Sequence, residues 1–396
     1  MSSVTQYFIV TLCYWKFTLT DGALRMLVVL YFHELGYSPL EVASLFLLYE
    51  FFGVITNLTG GWVAAKYGLS VTLNLGLILQ ILSLTMLLAP TSELTVLYVM
   101  VAQAISGIAK DLNKMSAKSR IKLLVLDKNQ GQLFKWVAFL TGSKNTIKGL
   151  GFFLGGFLLA NIGFQKTIIL LIGLIVLALL ASVIILKSNE RAPFTPKIKH
   201  LLSKSEHVNR LSAARFFLFG ARDIWFVVAL PVYLQTQLQW SFIEVGTFIA
   251  AWIIGYGAIQ ALTPKLISSR KDAPDGRVAT QYATLLSIIP VLIAAALFQA
   301  WLTEWVIIIG LVVFGIVFAV NSSLHSYLII AYAKEEEVSL DVGFYYMANA
   351  AGRLIGTILS GVIFQLANIE ACLIASGLFI AIAAGLSRHL PRAHSG

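Results

Sequence analysis

Lysines at regular spacing inside an apolar stretch are the first feature of this 396-residue sequence that could do chemistry. The segment SGIAKDLNKMSAKS (106–119) follows the apolar run VLYVMVAQAI and places Lys110, Lys114 and Lys118 four residues apart, with Asp111 beside them. A charge at the bilayer centre costs about 2.5–3.5 kcal/mol on insertion scales, so charges in a spanning helix indicate a functional site. The spacing predicts a cationic stripe on one helix face. Lys118 either belongs to this stripe or extends to lipid headgroups.

Two further basic clusters have comparable spacing. Lys144 and Lys148, in GSKNTIKG, are four residues apart. Arg215 and Arg222, in ARFFLFGARDIW, are seven apart and share a helix face. Like charges one turn apart repel each other, and an anion with several negative charges would relieve that repulsion. Arg offers a bidentate fork suited to phosphate or arsenate, and Lys adds a point charge. The pattern therefore favours a site for a multiply charged anion.

Acidic residues accompany these cations within the apolar segments, and they leave several interpretations open. Asp21 and Arg25 are four residues apart and can pair along one helix. This pair and Arg222–Asp223 either hold helices together or belong to the site itself. Glu50, in LLYEFFG, is either a proton carrier or a partner for a lysine.

Polar residues near the end of the chain extend the candidate site. Asn321 and His325, in NSSLH, are four residues apart, and His325 is either a hydrogen-bonded core residue or a proton relay. The segment DVGFYYMANAAGR adds tyrosines, which either pack or bind, with an amide and an arginine. The candidate substrate contacts are Arg25, Lys110, Asn113, Lys114, Lys144, Lys148, Arg215, Arg222, Asn321, His325, Tyr345, Asn349 and Arg353. The candidate proton-coupling or ion-pair residues are Asp21, Glu50, Asp111 and Asp223.

The composition is that of a polytopic membrane protein. Hydrophobic residues make up 58% of the chain, charged residues only 12%, and the mean hydropathy is +0.83. Soluble domains have about half apolar and a quarter charged residues. The net charge of +10 is not gathered into a nucleic-acid-binding patch, so no nucleic acid is expected as a partner. The two cysteines predict neither a structural disulfide nor a soft-metal site, and no cofactor is expected.

Apolar windows of about 20 residues predict an all-α membrane protein with twelve transmembrane helices. The predicted spans are 8–32, 41–65, 71–90, 94–117, 134–160, 164–187, 211–235, 242–266, 279–300, 304–332, 342–366 and 370–388. A polar linker at 188–210 divides them into an N-terminal six-helix bundle, 1–187, and a C-terminal one, 211–396. The short connections leave no room for a soluble catalytic domain, and the spans contain no nucleophile–base set, so no enzyme is expected.

Lys and Arg in alternate loops predict that both termini are cytoplasmic. They concentrate in the loops that would face the cytoplasm, including the 188–210 linker, whereas the opposite loops hold only Lys166.

Two short segments resemble features of the major facilitator fold, in which two parallel six-helix halves are related by an axis along the membrane normal. YSPLEV (37–42) and WSFIEV (240–245) form a weak repeat between the first and second spans of each half. GGWVAAKYG (60–68) resembles the superfamily's cytoplasmic signature, although Ala65 replaces its usual Asp. This departure weakens any expectation about gating by the signature, but not the expected fold. In that fold, spans one, four, seven and ten line the central path.

Longer segments resemble one particular family over essentially the whole chain. FTLTDGALRMLV, SGIAKDLNKMSAKS, TGSKNTIKGLGFFLGG, ARFFLFGARDIWFVVALP and SLDVGFYYMANAAGRLIGT are similar to strings in the bacterial organoarsenical efflux permeases, the ArsJ family. The resemblance implies a monomeric inner-membrane protein that exports 1-arseno-3-phosphoglycerate and so confers arsenate resistance. A glyceraldehyde-3-phosphate dehydrogenase makes this ester when arsenate replaces phosphate, which implies functional coupling to that enzyme.

Two questions remain open at the level of sequence. A sugar-phosphate or organophosphate antiporter of the same fold would need similar arginines, so it is the alternative function. The energy source is either proton antiport through one of the buried carboxylates or the anion's own gradient together with the membrane potential.

Overall fold

The computed structural model describes residues 3–37, 44–124, 130–186, 205–227, 229–240, 242–267, 274–299, 302–333 and 338–391. Within these ranges the protein is helical and contains no strand. Most of the predicted 188–210 linker lies outside the described residues, as does most of the YSPLEV repeat.

Thirteen α-helices lie in the described ranges, with one 3₁₀ turn at Thr91–Glu93. They are α1 Ser3–Glu34, α2 Leu47–Tyr67, α3 Leu69–Met86, α4 Val96–Leu124, α5 Gln130–Ile162, α6 Phe164–Ile185, α7 Glu206–Phe226, α8 Ala229–Thr236, α9 Phe242–Ile267, α10 Gly276–Phe298, α11 Thr303–Tyr332, α12 Val338–Leu366 and α13 Ile369–Ser387. Twelve of them are at least 18 residues long, and one long helix overlaps each predicted span. The expected all-α fold with twelve long helices is confirmed.

The predicted span 211–235 is the one that the structure divides, into α7 and the short α8. Pro231 lies in the first turn of α8, and proline lacks the N–H that would continue the α-helical hydrogen bonds across the division. The backbone N–H of Ala229 donates instead to Oγ of Ser360, at 3.1 Å. A hydroxyl from another helix thus satisfies one backbone group that the break releases.

Seven of the described helices are long and apolar enough to cross a membrane by length and composition alone. They are α3, α6 and the last five long helices, α9 to α13. The other five of the twelve long helices are α1, α2, α4, α5 and α7. They carry most of the ionisable residues that the sequence places inside the predicted spans. Most of the charged candidate site residues are therefore among the charges that reduce the apolar character of these five helices.

The chain forms two compact units. The first unit comprises Met1–Lys128, Ser143–Leu202 and Ala333–Met347, and the second comprises Asn129–Gly142, Ser203–Tyr332 and Ala348–Gly396. In the first unit α4 packs against α2 and α3, and α6 packs against α1 and α3. In the second unit α13 packs against α7 and α10, and α11 packs against α9 and α10. The predicted domain boundaries at the linker stay a prediction.

The segment GGWVAAKYG (60–68) ends α2 and begins α3. Gly68 has a φ of +94°, in the left-handed region that only glycine adopts without strain. A Cβ added at Gly61 would overlap the backbone of Ser339, so α2 and α12 approach closely here. Nζ of Lys66 lies 4.6 Å from the ring centroid of Trp62. Two glycines of this signature therefore have a structural role, in a turn and in a helix contact.

Glycines also bring charged helices together in each unit. In the first unit a Cβ on Gly151 of α5 would overlap the carbonyl oxygen of Leu19 on α1. In the second unit a Cβ on Gly352 of α12 would overlap the carbonyl oxygen of Phe216 on α7. Small residues of this kind allow helix backbones to approach closely within a membrane. The first crossing lies within about one turn of Asp21 and Lys148, and the second lies next to Arg353 and two turns from Asp223.

We predict that Gly352→Ala destabilises the protein, whereas Gly361→Ala on the same helix does not. The added methyl at position 352 meets backbone and forces α7 and α12 apart, and such overpacking costs about 1–3 kcal/mol. Nothing lies within 4 Å of a Cβ at Gly361, so the same change there alters only helix propensity. Thermal unfolding of both purified variants, followed by size-exclusion chromatography, would measure the difference. Equal melting temperatures would contradict the assigned packing.

Candidate functional site

The first unit holds a buried network of charges that we call the first charge cluster: Asp21, Arg25, Glu50, Lys110, Asp111, Lys114 and Lys148. Tyr49 of α2 lies at its centre, 1% exposed. Its hydroxyl donates to Oδ1 of Asp21 at 2.6 Å. Nζ of Lys110 lies 3.9 Å from the Tyr49 ring centroid, and Cζ of Arg25 lies 4.6 Å from it. A ring between two cations stabilises both by cation–π attraction, which is stronger away from water.

Asp111 provides the counter-ion for the stripe on α4. Its Oδ1 accepts from Nζ of Lys114 at 2.6 Å, and its Oδ2 lies 3.9 Å from Nζ of Lys110. Asp111 is 1% exposed, whereas both lysine side chains are partly exposed. The spacing in SGIAKDLNKMSAKS therefore gives the predicted stripe, with one buried carboxylate between two ammonium groups.

The partners of Asp21 and Arg25 differ from the predicted pair along α1. Oδ2 of Asp21 lies 3.4 Å from Nζ of Lys148 on α5. Arg25 donates from Nη2 to Oε1 of Glu50 on α2 at 3.2 Å. Each residue thus has an ion-pair partner on a neighbouring helix, because the α1–α5 crossing brings Lys148 close to Asp21, and Arg25 still interacts electrostatically with Asp21. Of the two interpretations of Glu50, the structure supports the ion pair, although with an arginine instead of a lysine.

Lys118, one turn beyond Lys114 on α4, is buried, with 3% exposure. Its Nζ lies 5.3 Å from the ring centroid of Tyr346, and Nζ of Lys114 lies 4.6 Å from the same ring. A lysine that extends to headgroups keeps its charged end exposed. The headgroup interpretation of Lys118 is therefore wrong, and the stripe continues along the buried face of α4.

The second unit holds the second charge cluster: Arg215, Arg222, Asp223 and Arg353. Asp223 of α7 is fully buried. Its Oδ1 accepts from Nε of Arg222 at 2.6 Å and is also in an ion pair with Nη2 of that residue. Its Oδ2 accepts from Nε of Arg353 on α12 at 3.0 Å. Both arginine side chains stay partly exposed.

Arg215, two turns before Arg222 on α7, joins a polar network in the same unit. Its Nε donates to Oδ1 of Asn349 at 2.8 Å, and its Nη1 donates to the carbonyl oxygen and the hydroxyl of Ser322, each at 3.2 Å. Tyr256 and Gln260 of α9 both donate to the same hydroxyl, at 3.0 Å. The guanidinium also lies over the Phe219 ring, 3.7 Å from its centroid. An amide, a hydroxyl, a backbone carbonyl and an aromatic ring thus hold Arg215 in place.

The structure places some predicted site residues apart from these ion pairs. Asn113 faces α3, where Gly76 leaves room for its amide, and its Nδ2 donates to the carbonyl oxygen of Ala109 at 2.9 Å. Lys144 lies half-buried one turn before Lys148. Tyr345 is buried, and its ring centroid lies 4.9 Å from that of Tyr346.

Asn321 and His325 of α11 are fully buried, and their side-chain polar atoms have no hydrogen-bond partner among the described residues. His325 lies close enough to Arg215 to interact with it electrostatically. A role for either residue in binding stays a prediction.

Tyr49 and the rings beside the second cluster are residues that the sequence reasoning did not single out. Tyr49 directly precedes Glu50, and Phe219 lies between Arg215 and Arg222. An aromatic residue next to an intramembrane charge was the available signal, but packing explains most aromatic residues in a membrane protein equally well.

Both clusters carry more positive than negative charge. The first has four cations and three carboxylates, and the second has three arginines and one carboxylate. Each arrangement suits the binding of an anion. In the described part of the chain, no group of three or more His, Cys, Asp or Glu residues could hold a metal ion.

Comparison with known proteins identifies the fold. Among solved structures, the human organic anion transporter MFSD10 (TETRAN) matches with a TM-score of 0.76 and 16% identity, over 96% of this chain and 98% of the other. The E. coli fucose:proton symporter FucP matches with a TM-score of 0.76 and 12% identity, over 98% and 99%. A bacterial homologue of the iron transporter ferroportin in the outward-facing state matches with a TM-score of 0.72 and 13% identity, over 96% and 98%.

At these identities the similar structures show the fold alone. No curated protein sequence matches the chain. The family model of the Major Facilitator Superfamily, whose members are membrane transporters, matches residues 10–325, which is most of the chain. With its twelve long helices, this protein therefore belongs to the Major Facilitator Superfamily.

Proposed function

We propose that this transporter exports 1-arseno-3-phosphoglycerate from the cytoplasm by alternating access and thereby confers arsenate resistance. The observation that carries the proposal is the surplus of cations over carboxylates among the residues of each charge cluster, within helices that would otherwise avoid charge. Inserting a charge in a bilayer is costly, so clustered cations in spanning helices indicate a ligand of opposite sign. A substrate with two oxyanion groups carries charge of the sign that such a cluster attracts.

The chemistry of the two clusters agrees with phosphate and arsenate groups. Arg222 and Arg353 present guanidinium N–H groups, which bind tetrahedral oxyanions through paired hydrogen bonds. Lys110 and Lys114 supply ammonium charges that do not fix the orientation of the anion. Pentavalent arsenic is hard and ligated by oxygen, so this substrate needs no thiol ligand. The two cysteines, Cys13 and Cys372, are buried and free.

The resemblance to the ArsJ family supplies the identity of the anion, which the charges alone do not. On this proposal the protein is a monomer in the bacterial inner membrane with both termini in the cytoplasm. A glyceraldehyde-3-phosphate dehydrogenase would make the ester inside the cell, and the ester would hydrolyse to arsenate after export. A sugar-phosphate or organophosphate antiporter is the second candidate, because the arginines of the second cluster would serve it equally well.

The ion pairs bear on the energy source of this export. Asp21, Glu50, Asp111 and Asp223 each contact at least one cation, so a proton-coupled cycle through any of them would have to break an ion pair. Outward movement of one negative charge is favoured by about 2.3 kcal/mol per 100 mV of membrane potential. We therefore favour a uniporter driven by the anion gradient and the potential over proton antiport.

Arsenate sensitivity of a strain without its own arsenic exporters tests the substrate. Four versions of the strain would be compared: one with the gene for this transporter, one with the gene for a glyceraldehyde-3-phosphate dehydrogenase, one with both genes and one with neither. We expect resistance only with both, because the dehydrogenase makes the ester and the transporter removes it. Resistance that does not depend on the dehydrogenase would contradict the proposed substrate. Competition by glycerol 3-phosphate, with no requirement for arsenic, would favour the second candidate.

Variants of one residue from each cluster test the assignment of the site. We expect Lys110→Ala and Arg222→Ala each to lower the resistance strongly, since a hydrogen bond to a charged group contributes about 1.5–3 kcal/mol. Arg222→Lys should also be impaired, because it keeps the charge but loses the fork. The measurement is the arsenate concentration that halves growth, with immunoblots of the membrane fraction. Lys166→Ala, at an exposed lysine of α6, is the control. Normal resistance in both alanine variants would remove these side chains from the site.

Substitution of Asp223 tests whether this carboxylate neutralises Arg222 and Arg353 in the absence of substrate. We expect Asp223→Asn to lower the melting temperature of the unliganded protein, because loss of one partner of a buried ion pair costs about 3–5 kcal/mol. The stabilisation by added 3-phosphoglycerate should become larger, since the arginines no longer have a competing carboxylate. Thermal unfolding with and without this compound measures both effects. Glu93→Gln, at an exposed acid, is the control. An unchanged response to the compound would contradict the assigned role.

A further inference from the structure

In the first unit, two cations of the charge cluster share the ring of Tyr49. The ring centroid lies 3.9 Å from Nζ of Lys110 and 4.6 Å from Cζ of Arg25. The other end of the side chain is anchored, because its hydroxyl donates to Oδ1 of Asp21 at 2.6 Å. Tyr49 itself is buried, whereas the side chains of both cations are partly exposed. A buried and anchored ring therefore supports two partly exposed cations.

A close contact between α2 and α4 also fixes the place of this ring. A Cβ added at Gly107 of α4 would lie 2.7 Å from the backbone oxygen of Tyr49 and 3.2 Å from Cδ2 of its ring. Gly107 lies one turn before Lys110, so the helix that carries this lysine also packs against the ring. The position of the ring is thus set by helix packing and by the hydrogen bond to Asp21.

In the second unit, two arginines share the ring of Phe219 in a similar way. The ring centroid lies 3.7 Å from Cζ of Arg215 and 5.1 Å from Cζ of Arg222. Arg215 is buried and donates hydrogen bonds to Asn349 and Ser322, whereas the side chain of Arg222 is partly exposed. The ring therefore connects an arginine that hydrogen bonds hold in place to one that is more accessible.

Arg222 lies near two further rings. Its Cζ is 5.7 Å from the ring centroids of Phe226 and of Phe318. Phe219 is the closest of the three rings, and it also contacts Arg215. The position of Arg222 should therefore depend on Phe219 more than on the other two rings.

A shared ring differs from a carboxylate in how it stabilises two neighbouring cations. The face of an aromatic ring is negative and attracts a cation, which offsets part of the repulsion between two like charges. A carboxylate accepts hydrogen bonds from the same N–H donors that an oxyanion requires. A guanidinium group stacks on a ring with its face, while its N–H groups point outward in its plane. The ring therefore holds the cations in place without reducing their net charge.

We propose that Tyr49 and Phe219 are positioning residues for anion binding, because each ring holds two cations in place for an oxyanion. The inference rests on the proposed function, and it adds two residues that act through the cations rather than on the substrate. A cation that is already in place loses less conformational entropy when the anion binds, so each ring increases the affinity. The presence of such a ring in both units, on different helices, supports a common role.

Fluorinated phenylalanines at position 219 of the purified full-length protein test the role of the Phe219 ring. Fluorine withdraws electron density from the ring face and changes the shape little, so it weakens the cation–π attraction more than the packing. We expect the affinity for 3-phosphoglycerate, measured by isothermal titration calorimetry, to fall with each added fluorine, by about 3- to 30-fold in total. A purely structural ring would not produce such a graded loss.

The same fluorinated series at Phe379 of α13 is the control, because this ring packs against the ring of Phe217, 5.4 Å away between centroids. We expect the affinity to stay constant along that series. A constant affinity along the Phe219 series, or an equal loss in both series, would mean that Phe219 only packs and would overturn its role. If the more heavily fluorinated variants do not fold, the variant with one fluorine decides.

Two substitutions of Tyr49 separate its ring from its hydroxyl. Tyr49→Phe keeps the ring and loses the hydrogen bond to Asp21, whereas Tyr49→Leu loses both. We expect the leucine variant to bind 3-phosphoglycerate about tenfold more weakly than the phenylalanine variant. Tyr98→Phe and Tyr98→Leu, at a half-buried tyrosine of α4 that donates to the carbonyl oxygen of Met86, should bind equally. Equal affinities of the two Tyr49 variants would overturn the role of this ring. If Tyr49→Leu does not fold, fluorinated phenylalanines at position 49, compared with Tyr49→Phe, decide instead.

The proposed function and the role of the rings fail in different ways. If the transporter and the dehydrogenase confer no arsenate resistance together, but the affinity follows the fluorinated series, the proposed substrate fails and the rings keep their role for another anion. If resistance is found but the affinity does not follow the series, only the role of the rings fails. If the unmodified protein binds neither 3-phosphoglycerate nor inorganic phosphate, the role of the rings is overturned as well.

Discussion

Neutralisation of buried charge is the constraint on which the rest of this structure depends. An ion removed from water costs several kcal/mol even after the protein has relaxed around it, and a bilayer offers no compensation. Two arginines from two helices form ion pairs with Asp223, and two lysines from one helix form ion pairs with Asp111. These ion pairs offset the cost of removing each carboxylate from water. Within each charge cluster the described cations outnumber the carboxylates. On the proposed function, this positive remainder attracts the anion.

Glycine makes these ion pairs geometrically feasible. Gly151 and Gly352 have no side chain that would hold α5 apart from α1 and α12 apart from α7. These close crossings allow Lys148 to pair with Asp21 and Arg353 to pair with Asp223. Gly53 lies equally close to a charged group, because a Cβ there would be only 3.1 Å from Oδ2 of Asp111. Helix packing and electrostatics are thus set by the same positions, so a change at one glycine alters stability and charge pairing together.

The sequence predicted those features that lie along a single helix. Windows of apolar residues predicted the twelve long helices, since a membrane requires about 20 apolar residues for each span. The spacing within α4 predicted the contact of Asp111 with Lys110 and Lys114, and the adjacency of Arg222 and Asp223 predicted their pair. Contacts between helices were not accessible in this way. Arg353 and Asp223 are 130 residues apart, and their pairing depends on the rotation of α12 about its axis, which periodicity in one helix does not determine. The same limit explains why Arg25 was paired with Asp21 although it contacts Glu50.

Incomplete neutralisation also bears on how a tightly held anion could be released. A transport site must bind strongly enough to capture its substrate and weakly enough to let it leave. A bare group of arginines would satisfy only the first requirement. In the second cluster, Asp223 already accepts hydrogen bonds from Arg222 and Arg353. On the proposed function, an incoming oxyanion would compete with this carboxylate, and the net binding energy would be the difference between two sets of charge-assisted hydrogen bonds. On release, the arginines would return to a partner that is already in place, which would lower the free energy of the empty state.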